Sequence, residues 1–313
     1  MEFFKKETRF DFMGIRRYTG VITVLLWVSS IGLIATKGLN LGLDFTGGTQ
    51  VEVRFLKPID PSDIRHQLES DGFHGVRVQQ YGGPQDILVR IANPKSTVGI
   101  IDERKVSLKV KDTLLKNHPG VEIRGTEFVG SEVGKELIEQ GGVAVLIAIL
   151  ATMIYIAFRF EYRLALSAAI GLIHDAFIIL GVFALFGFEF DLATLASILA
   201  VLGYSLNDTI VVFDRVRENF RKVRKSSPVE IMNLSINQTL SRTIMTSWMT
   251  LLVVVALLLF GGDNLFGFSM AFFVGIIVGT FSSIYVSGAL VLGLGLSKAD
   301  LMPKPKVEKE EKL

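Results

Sequence analysis

Six long apolar runs constrain this chain more than any other feature of its sequence. A helix needs ~20 mainly apolar residues to span the ~30 Å hydrocarbon core of a bilayer. Each run is close to that length and none contains a proline, so each predicts an uninterrupted membrane helix. The sequence therefore predicts an α-helical polytopic membrane protein with six transmembrane helices. The predicted spans are Tyr18–Thr36, Gly141–Phe158, Leu164–Phe186, Leu192–Phe213, Thr243–Phe260 and Phe268–Leu296.

The first apolar run could be mistaken for a signal peptide. It is too long for one, and no small-x-small cleavage site follows it, so we expect a retained helix. Half of the 313 residues are hydrophobic, a composition that a very apolar soluble enzyme would share. The lengths of the six runs decide against that second class.

Positive charge is distributed unevenly along the chain and predicts its orientation. Lysine and arginine crowd the N-terminal tail, the link 159–163, the segment 214–242 and the tail after Ser297. The loops 187–190 and 261–267 carry only acidic charge. Because cytoplasmic loops carry the excess of basic residues, we expect both termini in the cytoplasm and the chain in the cytoplasmic (inner) membrane. The basic patches are interpreted as topology signals, so no nucleic-acid partner is expected.

The residue types that thiol, metal or nucleotide chemistry requires are scarce. Cysteine is absent, which excludes disulfides and thiolate ligands. His66, His74 and His118 have unrelated spacings, which do not indicate a metal site. The segment 130–136 resembles a phosphate-binding loop but has three residues between its glycines, where that loop needs four. We therefore expect no cofactor, no metal and no enzymatic activity, and any energy input must come from an ion gradient.

The longest polar segment, 37–140, separates the first and second spans. About a hundred residues suffice for one small domain. Asp60 followed by Pro61 is a typical helix start. The order of predicted elements is βαββαβ, which is typical of a ferredoxin-like α+β sandwich, and the predicted topology makes it an exported domain. The predicted elements are strand 49–55, a helix after Asp60, strands 76–81 and 86–91, helix 100–117 and strand 121–129.

Two further local patterns predict where helices and turns begin. Ser227 and Glu230 form a capping-box pattern, which predicts a helix that runs into the fifth span. Gly47 and Gly48 are expected to turn the chain into the first strand, with Asp44 capping that turn. The predicted parts are the N-terminal tail and first helix (1–36), the exported domain (37–140), helices two to six (141–297) with a cytoplasmic loop (214–242), and a charged cytoplasmic tail (298–313).

Asp208 lies inside the fourth predicted span. A charge at the bilayer centre costs at least ~2.5 kcal/mol, so intramembrane carboxylates usually line a pathway or pair with another group. One interpretation is a packing residue that is satisfied by Asn207 or Ser205. The other is a carboxylate that takes up and releases protons, on a helix face shared with Ser197 and Tyr204.

Arg242, at the start of the fifth span, also has two interpretations. Spacing alone favours a cation that anchors the topology from the membrane edge. The other interpretation uses its length, because a long side chain on a neighbouring helix could reach Asp208. An arginine within ~4–6 Å keeps a carboxylate ionised, and its withdrawal invites a proton. The two residues would then form a proton-driven switch.

His174 and Asp175 lie inside the third span. They are either a further relay station or a locally bonded pair, and the sequence favours neither.

The last span repeats a small residue at every fourth position, which is typical of close helix packing. The stripe consists of Ala271, Gly275, Gly279, Ser283 and Ser287. Its partner helix could belong to this chain or to another.

Three stretches of the sequence closely resemble the SecF family, the smaller membrane subunits of the SecD–SecF protein-export complex. They are "LGLDFTGGTQVEV", "GYSLNDTIVVFDRVREN" and "FSSIYVSGALVL". The resemblance covers nearly the whole chain. It implies a fold of the resistance–nodulation–division type, pairing with SecD, and work with the SecYEG channel on a translocating preprotein. It also implies that Asp208 and Arg242 belong to a proton pathway, for which Asn207, Asp175 and His174 are weaker candidates.

Three functions remain to be distinguished. The first is a proton-motive-force-driven accessory of protein translocation. The second is a small-molecule or lipid exporter of the same architecture, for which the domain 37–140 is small if it must enclose a substrate. The third is a structural scaffold, which would not need Asp208.

Overall fold

The computed structural model describes residues 8–73, 75–81, 83–91, 103–223, 225–296 and 300 of the chain. Long helices dominate, and five of the six strands in the described residues lie between α1 and α5. The helices are α1 Arg16–Lys37, α2 Leu43–Thr46, α3 Pro61–Ser70, α4 Glu103–Asn117, α5 Ser131–Arg159, α6 Tyr162–Phe186, α7 Leu192–Lys222, α8 Pro228–Phe260, α9 Asp263–Phe281, a π-helical turn Ser282–Val286, and α10 Ser287–Gly293. The strands are β1 Asn40–Leu41, β2 Gly48–Arg54, β3 Val76–Tyr81, β4 Gly83–Ile91, β5 Glu122–Val129 and β6 Glu189–Phe190.

Six helical segments in the described part of the chain are long and apolar enough to cross a membrane. They confirm the predicted α-helical polytopic architecture. The sixth segment combines α9, the π-helical turn and α10. α5 begins at Ser131, so the predicted boundary between residues 140 and 141 falls inside one continuous helix.

The segment 214–242, which was predicted to be a loop, is mostly helical. α7 and α8 both continue into it, and α8 begins behind the predicted capping box of Ser227 and Glu230. The two helices continue to bury apolar side chains against each other there, while charged residues such as Asp214 and Lys222 are exposed. The buried side chains of this extension include Val216, Phe220, Ile231 and Ile236.

The bundle is organised around α6, which is largely buried, whereas α1 and α5 expose most of their apolar side chains and α8 exposes many of those in its second half, such as Trp248 and Leu252. At the contact between α1 and α6, a Cβ atom on Gly181 would lie 2.3 Å from Ser30 Oγ. Only a glycine allows the two backbones to approach so closely. The exposed apolar faces of the outer helices suit contact with lipid or with another membrane helix.

The segment between α1 and α5 forms the predicted ferredoxin-like α+β domain. Its elements follow the order βαββαβ, and its sheet has the order β3-β4-β2-β5 with antiparallel neighbours. Asp60 caps α3 by accepting a hydrogen bond from the N–H of Ser62 at 2.8 Å. Arg54 donates two hydrogen bonds to Asp86 across the sheet, which lowers the pKa of that carboxyl group. The core is formed by Val51, Val53, Phe55, Ile64, Leu68, Val76, Ile87, Val89, Ile91, Val110, Leu114 and Val121.

The junction between this domain and the helices corrects the prediction for Asp44. Asp44 does not cap the turn at Gly47; its Oδ2 atom accepts the N–H of Leu192, the first residue of α7, at 3.0 Å. The unpaired N–H groups at a helix start favour a carboxylate, and the fold brings α7 to Asp44. Gly47 turns the chain into β2 with a φ of 65°. Beside it, β1 pairs in parallel with β6.

We expect the fragment 40–135 to fold on its own, because the core of the α+β domain draws only on residues between Val51 and Val121. In that fragment Leu68→Ala should lower the free energy of unfolding by about 2–5 kcal/mol, since Leu68 is fully buried. Leu56→Ala is the matched control, because Leu56 is 72% exposed and should change stability by less than about 0.5 kcal/mol. Circular dichroism melts measure both, and a fragment without a cooperative transition would contradict the prediction.

Candidate functional site within the membrane helices

Asp208 is a buried carboxylate on α7. Its side chain is almost inaccessible, and its Oδ2 atom has no hydrogen-bond partner among the described residues. The hydroxyl of Tyr204, one turn earlier, is in the same situation. Of the two partners that the sequence offered, Ser205 donates its hydroxyl to Asp175, and Asn207 is exposed. The carboxylate of Asp208 is therefore not occupied by either of them.

Arg242 and Asp208 lie on neighbouring helices, α8 and α7. Among the described residues no ion pair within 4 Å joins them, and the hydroxyl of Thr246, one turn further along α8, lies within hydrogen-bond distance of the carbonyl oxygens of Arg242 and Thr243. Arg242 itself is exposed at the surface of the chain. The structure thus places the two predicted residues on neighbouring helices, without a direct ion pair between them in the described part of the chain.

His174 and Asp175 bond to each other although they are adjacent in sequence. His174 Nδ1 lies 3.0 Å from Asp175 Oδ1, and both residues are buried in the middle of α6. The other oxygen of Asp175 accepts hydrogen bonds from Ser205 of α7 at 2.7 Å and from Ser282 of the π-helical turn at 2.8 Å. Asp175 is therefore the meeting point of three helical segments. The Nε2 atom of His174 is buried without a partner in the described part of the chain.

A second pair of hydroxyl groups continues this network towards Asp208. Ser283 and Thr209 lie 2.9 Å apart through their side-chain oxygens, and each hydroxyl also lies within hydrogen-bond distance of the carbonyl oxygen of Ser205, at 3.2 and 3.3 Å. Thr209 is the residue that follows Asp208. Hydroxyl groups thus link the last span to the turn of α7 that carries the carboxylate.

The small-residue stripe of the last span packs inside the chain. A Cβ atom on Gly275 would lie 2.5 Å from the side chain of Val201, and one on Gly279 would lie 2.9 Å from the Cβ of Ser205. On α6, a Cβ atom on Gly171 would lie 2.9 Å from the hydroxyl oxygen of Ser287. The stripe therefore allows α9 and α10 to approach α7 and α6 closely, which answers the question that the sequence left open.

A different stripe of small residues is exposed on α7. Ala196, Ala200, Gly203 and Asn207 follow one another at spacings of three or four, and all are exposed. This face adjoins Asp208 and lies open to a neighbouring membrane helix.

Several of these contacts were not predicted from the sequence. Ser205 and Ser282 were not expected to bind Asp175, because nothing in the sequence marks the π-helical turn. The ion pair between Arg90 of the α+β domain and Glu189, at 2.5 Å, joins residues that are far apart in the chain. Among the residues the structure describes, no three His, Asp or Glu side chains are close enough together to hold a metal ion.

The fold and these side chains define a class of protein. It is a multi-pass membrane protein with a ferredoxin-like domain after its first helix and a carboxylate beside an arginine between two of its helices. Two family profiles match the chain. "Protein export membrane protein SecD/SecF, C-terminal" matches residues 109–297, and "SecD/SecF GG Motif" matches residues 32–58.

Individual relatives agree with these profiles. Protein translocase subunit SecF of Pseudomonas aeruginosa is 47% identical over 94% of both chains. That of Escherichia coli O157:H7 is 44% identical over 96% of this chain and 92% of the relative. The crystal structure of SecDF, a translocon-associated membrane protein from Thermus thermophilus, superimposes with a TM-score of 0.83 at 39% identity. That match covers 92% of this chain but only 39% of the SecDF chain. The chain belongs to the SecF family of protein translocase subunits.

Gly279→Leu should damage the chain itself, because a side chain at this position collides with Ser205 and reaches towards Asp175. Overpacking of this kind costs about 1–3 kcal/mol, so both the amount of chain in the membrane and its thermal stability in detergent should fall. Gly293→Leu is the matched control in the same span, since a Cβ atom there meets nothing within 4 Å. Equal stability of the two variants would show that the stripe does not pack as described.

Proposed function

We propose that this protein is a proton-motive-force-driven accessory subunit of Sec protein translocation. It would help to draw preproteins across the cytoplasmic membrane together with SecD and the SecYEG channel. Membership of the SecF family supports the translocation role. The buried Asp208 beside Arg242 supports the proton-driven part of the proposal.

The observation that carries the proposal is the state of the Asp208 carboxylate. One of its oxygens is buried without a hydrogen bond in the described structure, and Arg242, on the neighbouring helix α8, is exposed. When Arg242 is near, its charge stabilises the ionised carboxylate; when Arg242 moves away, burial favours the protonated form. A proton can therefore be taken up in one arrangement of α7 and α8 and released in the other.

Movement at this site can reach the α+β domain through α7. This helix is continuous from Leu192 to Lys222, so it carries Asp208 and also begins at the junction with the domain. At that junction Leu192 is held by Asp44, and β6, which precedes α7, pairs with β1. A shift of α7 would pull on the segment that leads into β2. In the proposed orientation both termini are cytoplasmic, so the domain lies on the exported side, where an emerging preprotein would be.

The proposed partner SecD would cover the exposed face of α7. This protein matches 39% of the SecDF chain from Thermus thermophilus, so the remainder of that chain can correspond to a second protein here. Small residues on an exposed membrane helix permit close contact with another helix. Asn207 lies on that face, and we keep it, with His174, as a weaker candidate for the proton pathway.

The alternative of a small-molecule or lipid exporter has no specific observation in its favour. The interior of the α+β domain is filled by its own side chains, from Val51 to Val121.

Asp208→Asn should leave the chain inserted and folded but abolish its support of translocation. Asparagine has nearly the same shape as aspartate but cannot exchange a proton. Asp214→Asn is the matched control, since Asp214 lies on the same helix and is 58% exposed. Export of a reporter preprotein is measured in cells that carry only the variant. Normal export by Asp208→Asn would refute the proton-carrying role.

Arg242→Lys should reduce export strongly if Arg242 acts on Asp208, because an ammonium group differs from guanidinium in reach and hydrogen-bond geometry. A residue that only anchors the topology would tolerate lysine, since the positive-inside rule counts both. Arg159→Lys is the control, because Arg159 is half exposed and its ion pair with Asp214, at 3.5 Å, is a weak surface contact. Equal export by both variants would leave Arg242 with an anchoring role alone.

A further inference from the structure

Asp175 differs from Asp208 in how its oxygens are used. Both oxygens of Asp175 are engaged, one with His174 and the other with Ser205 and Ser282. Its side chain is completely inaccessible. A group that carries protons must exchange partners as it gains and loses charge, whereas Asp175 is enclosed by partners from α6, α7 and the π-helical turn. This environment is typical of a group that holds elements in place.

The position of the π-helical turn explains how one carboxylate reaches two helices. In this turn the N–H of Ser287 bonds to the carbonyl of Ser282, five residues earlier, which widens the helix locally. Ser282 then bonds to Asp175 while its neighbour Ser283 bonds to Thr209. Turns of this kind interrupt regular helices and occur frequently at functional sites.

The contacts of Ser205 transmit this arrangement to Asp208. The hydroxyl of Ser205 is bound by Asp175, and its carbonyl oxygen lies within hydrogen-bond distance of the hydroxyls of Ser283 and Thr209. Ser205 lies three residues before Asp208 on the same helix, and Thr209 is the residue directly after Asp208. The turn of α7 that carries Asp208 is therefore held on both sides of the carboxylate. The absence of a side chain at Gly279 makes room for this contact.

We propose that Asp175 is a positioning residue for the Asp208 site. By binding Ser205 and Ser282 together, it sets the position of α7 against the last span and so the placement of Asp208 relative to Arg242 on α8. This inference rests on the proposed function of Asp208 for its effect on proton movement, but the positioning itself does not depend on it. His174, bonded to the other oxygen, keeps the carboxylate turned towards the two serines.

The first experiment measures proton flux through the complex of this chain with SecD in liposomes. Ser205→Ala combined with Ser282→Ala keeps the side chain of Asp175 and its contact with His174 but removes the two serine donors. We expect this double variant and Asp175→Asn each to lower flux about fivefold or more, because the first removes the two serine hydrogen bonds to Asp175 and the second replaces one of its two acceptor oxygens with an amide group. Both should also shift the pH of half-maximal flux, since the Asp208–Arg242 placement changes. Loss of folded protein alone would not move that pH.

Ser269→Ala is the matched control for these variants. Ser269 is a fully buried serine of α9 whose hydroxyl has no hydrogen-bond partner in the described structure. Its replacement should leave the flux and its pH dependence unchanged. The positioning role is overturned if Asp175→Asn abolishes flux as completely as Asp208→Asn while the double serine variant behaves like the wild type. That result would make Asp175 a proton carrier.

The second experiment reads the helix positions directly. The chain contains no cysteine, so spin labels can be attached to cysteines introduced at Lys222, the end of α7, and Leu294, just after α10. Electron-spin distance measurements should give a shifted or broader distribution in Asp175→Asn and in the double serine variant, but not in Ser269→Ala. An unchanged distribution in both test variants would refute the proposal. Because this readout does not involve protons, it remains decisive even if Asp208→Asn conducts protons normally and the proposed function fails.

Discussion

The structure depends on the need to satisfy polar groups inside a membrane, where no water can replace a missing hydrogen bond. The Asp175 carboxylate in the middle of α6 meets this need by drawing Ser205 and Ser282 from two other helical segments. Such contacts require closely spaced backbones, and Gly275 and Gly279 provide that spacing against α7. Packing and polar bonding therefore support each other. The helices are close because their residues are small, and that closeness lets one carboxylate bind two serines.

A second carboxylate in the same bundle, that of Asp208, is not fully hydrogen-bonded in the described structure. Asp208 lies one turn from this network, yet its Oδ2 atom has no hydrogen bond among the described residues, and its charged neighbour Arg242 is exposed. A carboxyl group whose hydrogen bonds are all made stabilises one structure. A carboxyl group that lacks a hydrogen-bond partner can stabilise different structures in its protonated and ionised states. The bundle thus combines a fully bonded carboxylate at Asp175 with one at Asp208 whose Oδ2 atom has no partner in the described structure, and α7 takes part in both.

α7 also connects the bundle to the α+β domain. Its first residue, Leu192, is held by Asp44, and the adjoining Glu189 pairs with Arg90 in the domain. The helix start attracts carboxylates because its first N–H groups have no partners within the helix. In the proposed function, a displacement near Asp208 would be carried to this junction, because a long helix resists bending. The glycine-rich segment after α1 is therefore more than a turn, since it attaches the domain to the helix that holds the candidate site.

Much of this architecture followed from the sequence alone, because it depends on local patterns. Apolar run length determined the six spans, alternation and helix starts such as Asp60 determined the βαββαβ domain, and the cost of burying a charge singled out Asp208. Local patterns failed where a residue's partner is distant in the chain. Asp44 was assigned to the nearest turn but binds Leu192, and the helical continuation of α7 through residues 214–222 was not predicted, although its apolar side chains pack in the core of the bundle. The π-helical turn and the bonds of Ser205 and Ser282 to Asp175 have no sequence signal. Only the tertiary structure decided them, because hydrogen bonds between helices depend on how the backbones approach one another, and that approach is settled by packing over the whole bundle.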